Sequence, residues 1–213
     1  MEIYKKKNKR IEGLKFVPSI GDYGGGDDID SVHIQYVTCL EHFTPCVAET
    51  FKDLFYRVKN NCRSILEIGV IGKPHHPSNV GTSTEFLMEM KNEDTVYLGI
   101  DIEHRSIQNT ERNIHFHQTD SMNTEEVLGK IKELGIDEFD FIFIDGWHSV
   151  NVVLHEWENY VIPFLSKKGI VVLHDVNSHP GPYVLFEALD DSIFDSEKYC
   201  EGNDYGIGVI SYK

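Results

Sequence analysis

Beyond residue 60, hydrophobic residues concentrate in five short blocks, each about the length of a β-strand. The blocks cover residues 64–70, 96–101, 113–119, 139–145 and 169–174. Several of them are apolar at successive positions, which is typical of strands that have helices packed on both faces. The pattern therefore predicts a parallel sheet that is buried on both sides.

The segments between these blocks carry apolar residues at the three- and four-residue spacing of amphipathic helices. The predicted helices cover residues 46–61, 83–91, 124–134, 149–165 and 182–189. Thr82 and Glu85 have the spacing of a capping box before the second helix, and Asn123 and Glu126 have it before the third. Pro182 suits the first turn of the last helix, where its missing N–H costs nothing.

Strands that alternate with helices predict an α/β architecture with a doubly wound, Rossmann-like sheet. The alternation covers residues 46–213, which we assign to one domain because 213 residues leave little for a second core. Residues 1–45 form an irregular N-terminal segment. Within it, residues 21–36, which include Tyr23 and His33 in a glycine-rich context, are a candidate lid.

The formal net charge of −15 argues against a nucleic-acid partner, because a phosphate backbone selects a basic face. No apolar run reaches membrane-spanning length, and no apolar core of a signal peptide follows the basic N-terminus. The composition predicts a soluble, cytoplasmic protein without a membrane partner. We also expect reduced thiols, because C-x-x-C spacing is absent from the four cysteines, Cys39, Cys46, Cys62 and Cys200.

Two of the apolar blocks end by presenting an acid beside a histidine. The fourth runs into 145-DGWHS-149, and the fifth runs into 174-HDV-176. Right-handed crossovers bring the C-terminal ends of parallel strands to one edge of the sheet, where such folds bind ligands. We therefore expect the side chains of Asp145, His148, His174 and Asp175 to share one cleft.

The first three blocks bring further residues to the same edge, namely Glu67, Gly69, Asp101, Asp120 and Ser121. Asp101 ends the second block, where a carboxylate can accept from both hydroxyls of a ribose. Asp120 and Ser121 follow the third block and suit the amino edge of an adenine. The G-x-G-x-x-G phosphate fingerprint is absent, which counts against NAD.

In this order, the motifs Glu-x-Gly, Asp, Asp-Ser and Asp-Gly-x-His resemble those of class I S-adenosylmethionine-dependent methyltransferases. The resemblance covers residues 46–213 and implies that the last strand, in residues 205–213, is antiparallel and lies beside a short strand near residues 198–199. The implied contacts to S-adenosylmethionine are Glu67, Gly69, Gly81, Thr84, Asp101, Ile102, Asp120, Ser121 and Asp145.

Within that family, 144-IDGWHS-149 and 172-VLHDV-176 resemble small-molecule O-methyltransferases. These include macrolide sugar O-methyltransferases, the cephalosporin hydroxylase-like group and, more distantly, catechol O-methyltransferase. Such enzymes commonly hold a divalent metal at the ends of the fourth and fifth strands. The resemblance implies Asp145 and Asp175 as metal ligands, Asp145 also being part of the catalytic centre, and His148 as the general base.

The third metal ligand is open between His174, Asn177 and water, and we assign His174. In the catechol enzyme an amide ligand follows the fifth-strand acid directly, whereas here Val176 follows it. Hard carboxylate oxygens suit Mg²⁺, the ion that we expect. Such a metal lowers the pKa of a bound hydroxyl, and a nearby imidazole can take the proton.

Three further histidines lie near this edge. His75 and His76 belong to the segment 70–81, which is longer than the usual glycine-rich turn, and we expect them to be exposed. His179 follows the fifth strand closely enough to reach a substrate.

The sequence thus predicts an S-adenosylmethionine-dependent O-methyltransferase that acts on a hydroxyl of a small molecule or carbohydrate, assisted by a divalent metal. It is compatible with a homo-oligomer. Two alternatives stay open at this point. One is an NAD-dependent oxidoreductase of Rossmann type, and the other is a catalytically silent cofactor-binding or scaffold subunit.

Overall fold

The computed structural model describes residues 11–16, 45–70, 82–200 and 205–213 of the chain. Its strands are β1 (Ser64–Ile68), β2 (Val96–Asp101), β3 (Ile114–Gln118), β4 (Phe139–Ile144), β5 (Leu165–His174), β6 (Phe194–Tyr199) and β7 (Ile207–Tyr212). They form one sheet in the order β3-β2-β1-β4-β5-β7-β6. Strands β1 to β5 run parallel, and β7 is antiparallel to both of its neighbours. The predicted sheet with an antiparallel C-terminal strand is confirmed.

The α-helices are α1 (Pro45–Val58), α2 (Ser83–Met90), α3 (Thr124–Glu133), α4 (Val150–Glu156), α5 (Ile162–Phe164) and α6 (Pro180–Ala188). A π-helical turn, Trp157–Val161, joins α4 to α5, and 3₁₀ turns cover Lys59–Asn61 and Thr110–Arg112. Helix α6 begins at Pro180 rather than at the predicted Pro182. None of the helices within the described ranges combines the length and the apolar character that a bilayer span requires.

Successive residues of the central strands point to opposite faces of the sheet, and both faces are covered. Helices α4 and α6 cover one face, in a layer that includes Leu66, Ile68, Ile142, Ile144, Val153 and Leu185. Helices α1 and α2 cover the other, in a layer that includes Phe51, Phe55, Ile65, Phe141 and Phe143. Burying one such side chain fully is worth roughly 1.5–3 kcal/mol. This two-sided burial explains the continuous apolar blocks of the sequence.

Residues 11–16 pack into this core, although the sequence pattern groups them with the N-terminal segment. Ile11 and Leu14 are buried in the layer of α4 and α6, and Leu14 forms an isolated antiparallel bridge with Leu189. The indole N–H of Trp157 donates to the carbonyl oxygen of Glu12 at 3.1 Å. Residues 17–44, which include the candidate lid, lie outside the described residues.

One of the two predicted capping boxes is present. The hydroxyl of Thr82 accepts from the N–H of Glu85 at 3.1 Å, and the carboxylate of Glu85 accepts from the N–H of Thr82 at 3.4 Å. The prediction for Asn123 is wrong, since its side chain makes no cap hydrogen bond. Glu126 instead accepts from the hydroxyl of Thr119 at 2.6 Å, which draws its carboxylate away from the helix start.

The expectation of reduced thiols is wrong for two of the four cysteines. Cys46, in the first turn of α1, forms a disulfide with Cys200, which follows β6. Cys62 is free, and burial raises the pKa of its thiol to about 12. Cys39 lies outside the described residues. The predicted cytoplasmic location therefore loses the support that it took from the cysteines.

Candidate active site

The ends of β1 and β4 approach each other closely. Gly69 follows β1 with φ +88°, a left-handed conformation that favours glycine. A Cβ atom at this position would lie 2.1 Å from the carbonyl oxygen of Asp145. The N–H of Asp145 donates to the carbonyl oxygen of Ile68 at 2.8 Å, and that of Gly69 donates to Ile100 at 2.9 Å. The glycine therefore lets the ends of three strands meet at one edge.

Glu67 is fully buried beneath this edge and is held by hydroxyl groups. Ser83 and Thr84, in the first turn of α2, donate to its Oε1 at 2.7 and 3.0 Å, and the hydroxyl of Tyr97 donates to its Oε2. Burial raises the pKa of Glu67 to about 7, although these hydrogen bonds oppose the shift. Glu67 and the equally buried Thr84 thus fix the start of α2 against the end of β1.

Asp101 ends β2, and main-chain groups orient its carboxylate. Its Oδ2 accepts from the N–H of Val70 at 2.9 Å, and its Oδ1 accepts from the N–H of Glu103 at 2.7 Å. The guanidinium of Arg105 lies 3.5 Å from Oδ2. The next residue, Ile102, is 68% exposed. The end of β2 thus offers an oriented acceptor beside an open apolar surface.

Asp120 and Ser121 lie in the turn after β3, and residues of the connection between β4 and β5 form hydrogen bonds with this turn. The Oδ1 atom of Asp120 accepts from the N–H of Met122 at 2.9 Å. The hydroxyl of Ser121 donates to Oε1 of Glu156 at 2.6 Å. The hydroxyl of Tyr160 donates to the carbonyl oxygen of Ser121 at 2.5 Å. Asp120 stays exposed, whereas Ser121 is held between two elements.

Glu156, which was not predicted from the sequence, is fully buried at the end of α4. Burial raises the pKa of its carboxyl to about 7. Its position between Val153 and Tyr160, an acid on the apolar face of a predicted helix, was the available signal. The π-helical turn begins at the following residue, and such turns are frequent at functional sites.

Asp145, His174 and Asp175 meet where β4 and β5 end. Ile144 and Leu173 are paired in parallel register, which places the following residues side by side. The Nδ1 atom of His174 lies 3.0 Å from Oδ1 of Asp145 and 2.9 Å from Oδ1 of Asp175. The predicted convergence of the two strand ends is present in the structure.

His148 joins the same group from the start of α4. Its Nε2 atom lies 3.5 Å from Oδ1 of Asp145, and its Nδ1 atom lies 3.3 Å from Oδ2 of Asp175. Its side chain is 18% exposed, so the imidazole is mostly buried but still reaches the surface of the cleft. Trp147 is 58% exposed, so it does not pack beneath the site.

The carboxylates of this group set the charge of its histidines. Burial alone would lower the pKa of His174 and His148, but the attraction of Asp145 and Asp175 outweighs it and raises both values. Conversely, burial alone would raise the pKa of the two carboxyls, but the imidazoles outweigh it and lower both. The cluster therefore favours ionised carboxylates beside imidazolium groups.

Asp175 adopts φ +63°, which is uncommon for a residue other than glycine. The surrounding main chain holds this conformation. The N–H of Asp175 donates to Gly206 at 3.0 Å, and the N–H of Asn177 donates to Tyr205 at 2.9 Å. The side-chain amide of Asn177 donates to the carbonyl oxygen of Cys200 at 3.1 Å. The start of β7 and the disulfide-bonded Cys200 thus brace the loop that carries Asp175.

His179 also reaches the cluster. Its Nε2 atom lies 3.3 Å from Oδ2 of Asp175, and its ring stacks on that of His148 with centroids 4.7 Å apart. Its N–H donates to the carbonyl oxygen of Asp175 at 3.0 Å, which closes a single turn after β5.

Two groups of side chains could hold a metal ion among the described residues, and they share Asp175. One is formed by Asp145, His174 and Asp175, and the other by His148, Asp175 and His179; in each, the ligand atoms lie within 4.8 Å of one another. The first group contains the three predicted metal ligands. Gly81, His75 and His76 lie outside the described residues.

The fold is similar to that of several solved methyltransferases, at low sequence identity. MycE methyltransferase of the mycinamycin biosynthetic pathway, in complex with Mg, SAH and mycinamycin VI, is 19% identical with a TM-score of 0.56; the match covers 83% of this chain and 51% of MycE. CalS11, a TDP-rhamnose 3′-O-methyltransferase of calicheamicin biosynthesis, is 13% identical with a TM-score of 0.55 and 77% of both chains covered. This chain therefore spans about half the length of MycE.

A search of curated protein sequences gave no match. A family model described as a methyltransferase domain matches residues 66–176, just over half of the chain. The matched range runs from within β1 to the residue after Asp175, so it contains the strand ends described above. The chain belongs to the class I S-adenosylmethionine-dependent methyltransferases.

Proposed function

We propose that this protein transfers the methyl group of S-adenosylmethionine to a hydroxyl of a small molecule or sugar. The observation that carries the proposal is the convergence of His148, Asp145 and Asp175 at the ends of β4 and β5. This cluster lies on the same sheet edge as Asp101, with β1 between β4 and β2. A cofactor bound over β1 and β2 would direct its methyl group towards an imidazole held by two carboxylates.

The cofactor end of the cleft consists of Asp101, Ile102, Asp120 and Ser121. Asp101 keeps acceptor capacity beyond its two main-chain donors, because each carboxylate oxygen offers two lone pairs. It would therefore bind the ribose hydroxyls. The side chain of Ile102 is 68% exposed and would offer an apolar surface to the adenine ring. Asp120 and Ser121 would then bind the adenine amino group.

The remaining predicted cofactor contacts act closer to the methionine part. Gly69 leaves the main chain open for close approach, and Asp145 adjoins it. Glu67 and Thr84 are buried, so we propose that they support the cofactor by fixing the first turn of α2. Gly81, just before this turn, stays a predicted contact.

In the methyl-transfer step, the acceptor oxygen forms a bond to the methyl carbon while the carbon–sulfur bond of S-adenosylmethionine breaks. The sulfur keeps the bonding electron pair and leaves in S-adenosylhomocysteine. The hydroxyl proton passes to His148, whose imidazole must be neutral to accept it. Asp145 and Asp175 favour the imidazolium, and a cation held by these carboxylates would offset that effect. General base catalysis of this kind is typically worth about 10²–10⁴ in rate. Alignment of the oxygen with the methyl group contributes roughly 7–11 kcal/mol.

A divalent cation, Mg²⁺ by our proposal, would be held by Asp145, Asp175 and His174. When bound, it would lower the pKa of the acceptor hydroxyl and orient that group. The donor set fits, since two carboxylates supply the hard oxygen atoms that such an ion prefers. Of the alternative third ligands, His174 is favoured over Asn177, because its Nδ1 lies within 3.0 Å of both carboxylates whereas the Asn177 amide donates to Cys200.

The acceptor class rests on the titles of the fold neighbours and on charge. MycE is crystallised with mycinamycin VI, and CalS11 is described as a TDP-rhamnose 3′-O-methyltransferase. A chain of net charge −15 that lines its cleft with carboxylates disfavours a polyanionic nucleic-acid acceptor. We therefore propose a hydroxylated small molecule or sugar rather than a nucleic acid.

The proposal is tested by screening hydroxylated acceptors with methyl-labelled S-adenosylmethionine, with and without Mg²⁺. We expect the labelled methyl group in the acceptor and S-adenosylhomocysteine as the second product. Because the chain belongs to a methyltransferase family, the alternative of an NAD-dependent oxidoreductase is no longer supported. A silent cofactor-binding subunit would instead bind S-adenosylhomocysteine in calorimetry and transfer no label to any acceptor, and this outcome would overturn the proposal.

A further inference from the structure

The two oxygen atoms of the Asp175 carboxylate face different side chains. Oδ1 lies 2.9 Å from His174. Oδ2 lies 3.3 Å from both Nδ1 of His148 and Nε2 of His179. Asp175 therefore joins two potential metal positions, an oxygen-rich one with Asp145 and His174 and a nitrogen-rich one with His148 and His179.

The two positions favour different metals. Mg²⁺ prefers oxygen ligands, two of which come from Asp145 and Asp175, whereas two imidazoles and one carboxylate are a donor set that Zn²⁺ and similar transition metals bind well. We propose that His148, Asp175 and His179 form a second, inhibitory site for Zn²⁺ and related divalent transition metals.

The spacing of this nitrogen-rich site is close to what Zn²⁺ needs. Zinc–nitrogen and zinc–oxygen bonds of about 2.0–2.2 Å place neighbouring ligand atoms roughly 3–4 Å apart. Two of the three ligand pairs are separated by 3.3 Å, and the third pair lies within 4.8 Å. The stacked rings are inclined by 17°, so they must tilt towards each other to direct both nitrogen atoms at one ion.

The main chain prepares this arrangement before any ion arrives. The left-handed conformation of Asp175 starts the turn, and the hydrogen bond from the N–H of His179 to the carbonyl oxygen of Asp175 closes it. Pro180 then begins α6 and fixes the exit of the chain. Asp175 and His179 lie on this preformed turn, so they lose little conformational entropy when they bind an ion.

Occupation of this site removes the general base. A neutral imidazole has one nitrogen with a free lone pair. When Nδ1 uses that lone pair to coordinate a metal, the ring proton stays on Nε2, which faces Asp145 at 3.5 Å, and the ring cannot take a second proton. The inhibition rests on the proposed function of His148, whereas metal binding itself does not.

The test compares tag-free wild-type protein with His179→Ala and, as a matched control, His115→Ala, which removes a histidine from the edge strand β3. Zn²⁺ and Co²⁺ binding are measured by calorimetry and by the visible absorption of Co²⁺. Loss of an outer metal-site partner alone typically costs 10–100-fold in affinity, so His179→Ala should weaken Zn²⁺ binding at least about tenfold. His115→Ala should leave it unchanged. His179→Gln, with circular dichroism, guards against a folding defect in the alanine variant.

The second arm measures methyl transfer in Mg²⁺ as Zn²⁺ is added, with each protein referred to its own rate without Zn²⁺. Zn²⁺ should inhibit the wild type at the concentration that fills the site, and His179→Ala should need at least about tenfold more. Equal Zn²⁺ affinity of wild type and His179→Ala would overturn the site. Binding without inhibition would overturn the inhibitory role. If no acceptor is ever methylated, the proposed function fails, and the binding arm still decides the metal site.

Discussion

The two ends of the cleft hold their carboxylates in different ways. At the cofactor end, Asp101 accepts from the main-chain N–H groups of Val70 and Glu103, and Asp120 accepts from that of Met122. At the catalytic end, Asp145 and Asp175 face imidazoles, and Asp175 is fully buried. Main-chain donors fix the direction of a carboxylate acceptor, while neighbouring imidazoles keep a carboxylate ionised.

This difference separates recognition from chemistry. A ribose contact needs an acceptor in a constant position, which a turn provides without a titrating partner. A proton transfer needs groups whose charge depends on one another, and buried pairs provide this because the low local dielectric strengthens their interaction. We therefore expect substitutions at the cofactor end to change affinity, and substitutions at the catalytic end to change rate.

The largest effect is expected at His148. His148→Ala should lower kcat by about 10²-fold or more, because it removes the proposed base, with the affinity for S-adenosylmethionine nearly intact. The loss should shrink at high pH, where the acceptor hydroxyl needs less help. Steady-state kinetics and calorimetry measure the two effects, with His115→Ala as the control. A kcat close to that of the wild type would make His148 structural.

The disulfide supports the catalytic end more directly than the cofactor end, through Cys200 and Asn177. Cys46→Ser should lower the free energy of unfolding by about 2–4 kcal/mol, since the bond links positions 154 residues apart. Urea unfolding measures this change. Reductant should destabilise the wild type and leave Cys46→Ser unaffected. If both proteins respond equally to reductant, the bond does not contribute to stability.

The buried Glu156, which accepts from Ser121 at the cofactor end, should make the free energy of unfolding depend on pH. Its folded pKa of about 7 lies above the ordinary 4.5, so the folded state keeps a proton that the unfolded state has lost. Stability should fall as pH rises from about 4.5 to 7, by up to about 3 kcal/mol. Glu156→Gln should remove this part of the loss, so its stability relative to wild type should be higher at pH 8 than at pH 5. The exposed control Glu125→Gln should show no such trend, and an equal difference at both pH values would contradict the account.

The smallest effect in free energy is expected at Asp101. Asp101→Ala should weaken S-adenosylmethionine binding at least tenfold, about 1.4 kcal/mol, because it removes the ribose acceptor. Calorimetry on the folded variant measures this, beside Glu111→Ala as an exposed acid elsewhere on the surface. An unchanged dissociation constant would move the ribose contact to another residue.

The sheet could be predicted because burial on both faces leaves a local signal. Strands β2 and β4 are apolar at almost every position, and β1 carries Ile65, Leu66 and Ile68. Strand β5 begins at Leu165, earlier than predicted, because the exposed Lys167 and Lys168 interrupt its apolar pattern. Both lysines lie before the continuous apolar run of β5.

The chemistry of the strand ends was also visible in the sequence, whereas the residues that brace it were not. Asp145 follows an apolar run directly, and Asp175 follows one after His174. The bond between Cys46 and Cys200 has no local spacing to reveal it, because only the packing of α1 near the end of β6 brings these residues together. The approach of His179 depends on the left-handed conformation of Asp175, which sequence patterns do not specify.

The most direct test of the division between recognition and chemistry is the single-turnover rate of methyl transfer at saturating S-adenosylmethionine. Wild type, Asp101→Ala and His148→Ala are compared on one acceptor. We predict that Asp101→Ala reacts within a few-fold of the wild-type rate once it is saturated, while His148→Ala is slower by about 10²-fold. An Asp101→Ala enzyme as slow as His148→Ala, or a His148→Ala enzyme as fast as the wild type, would contradict the account.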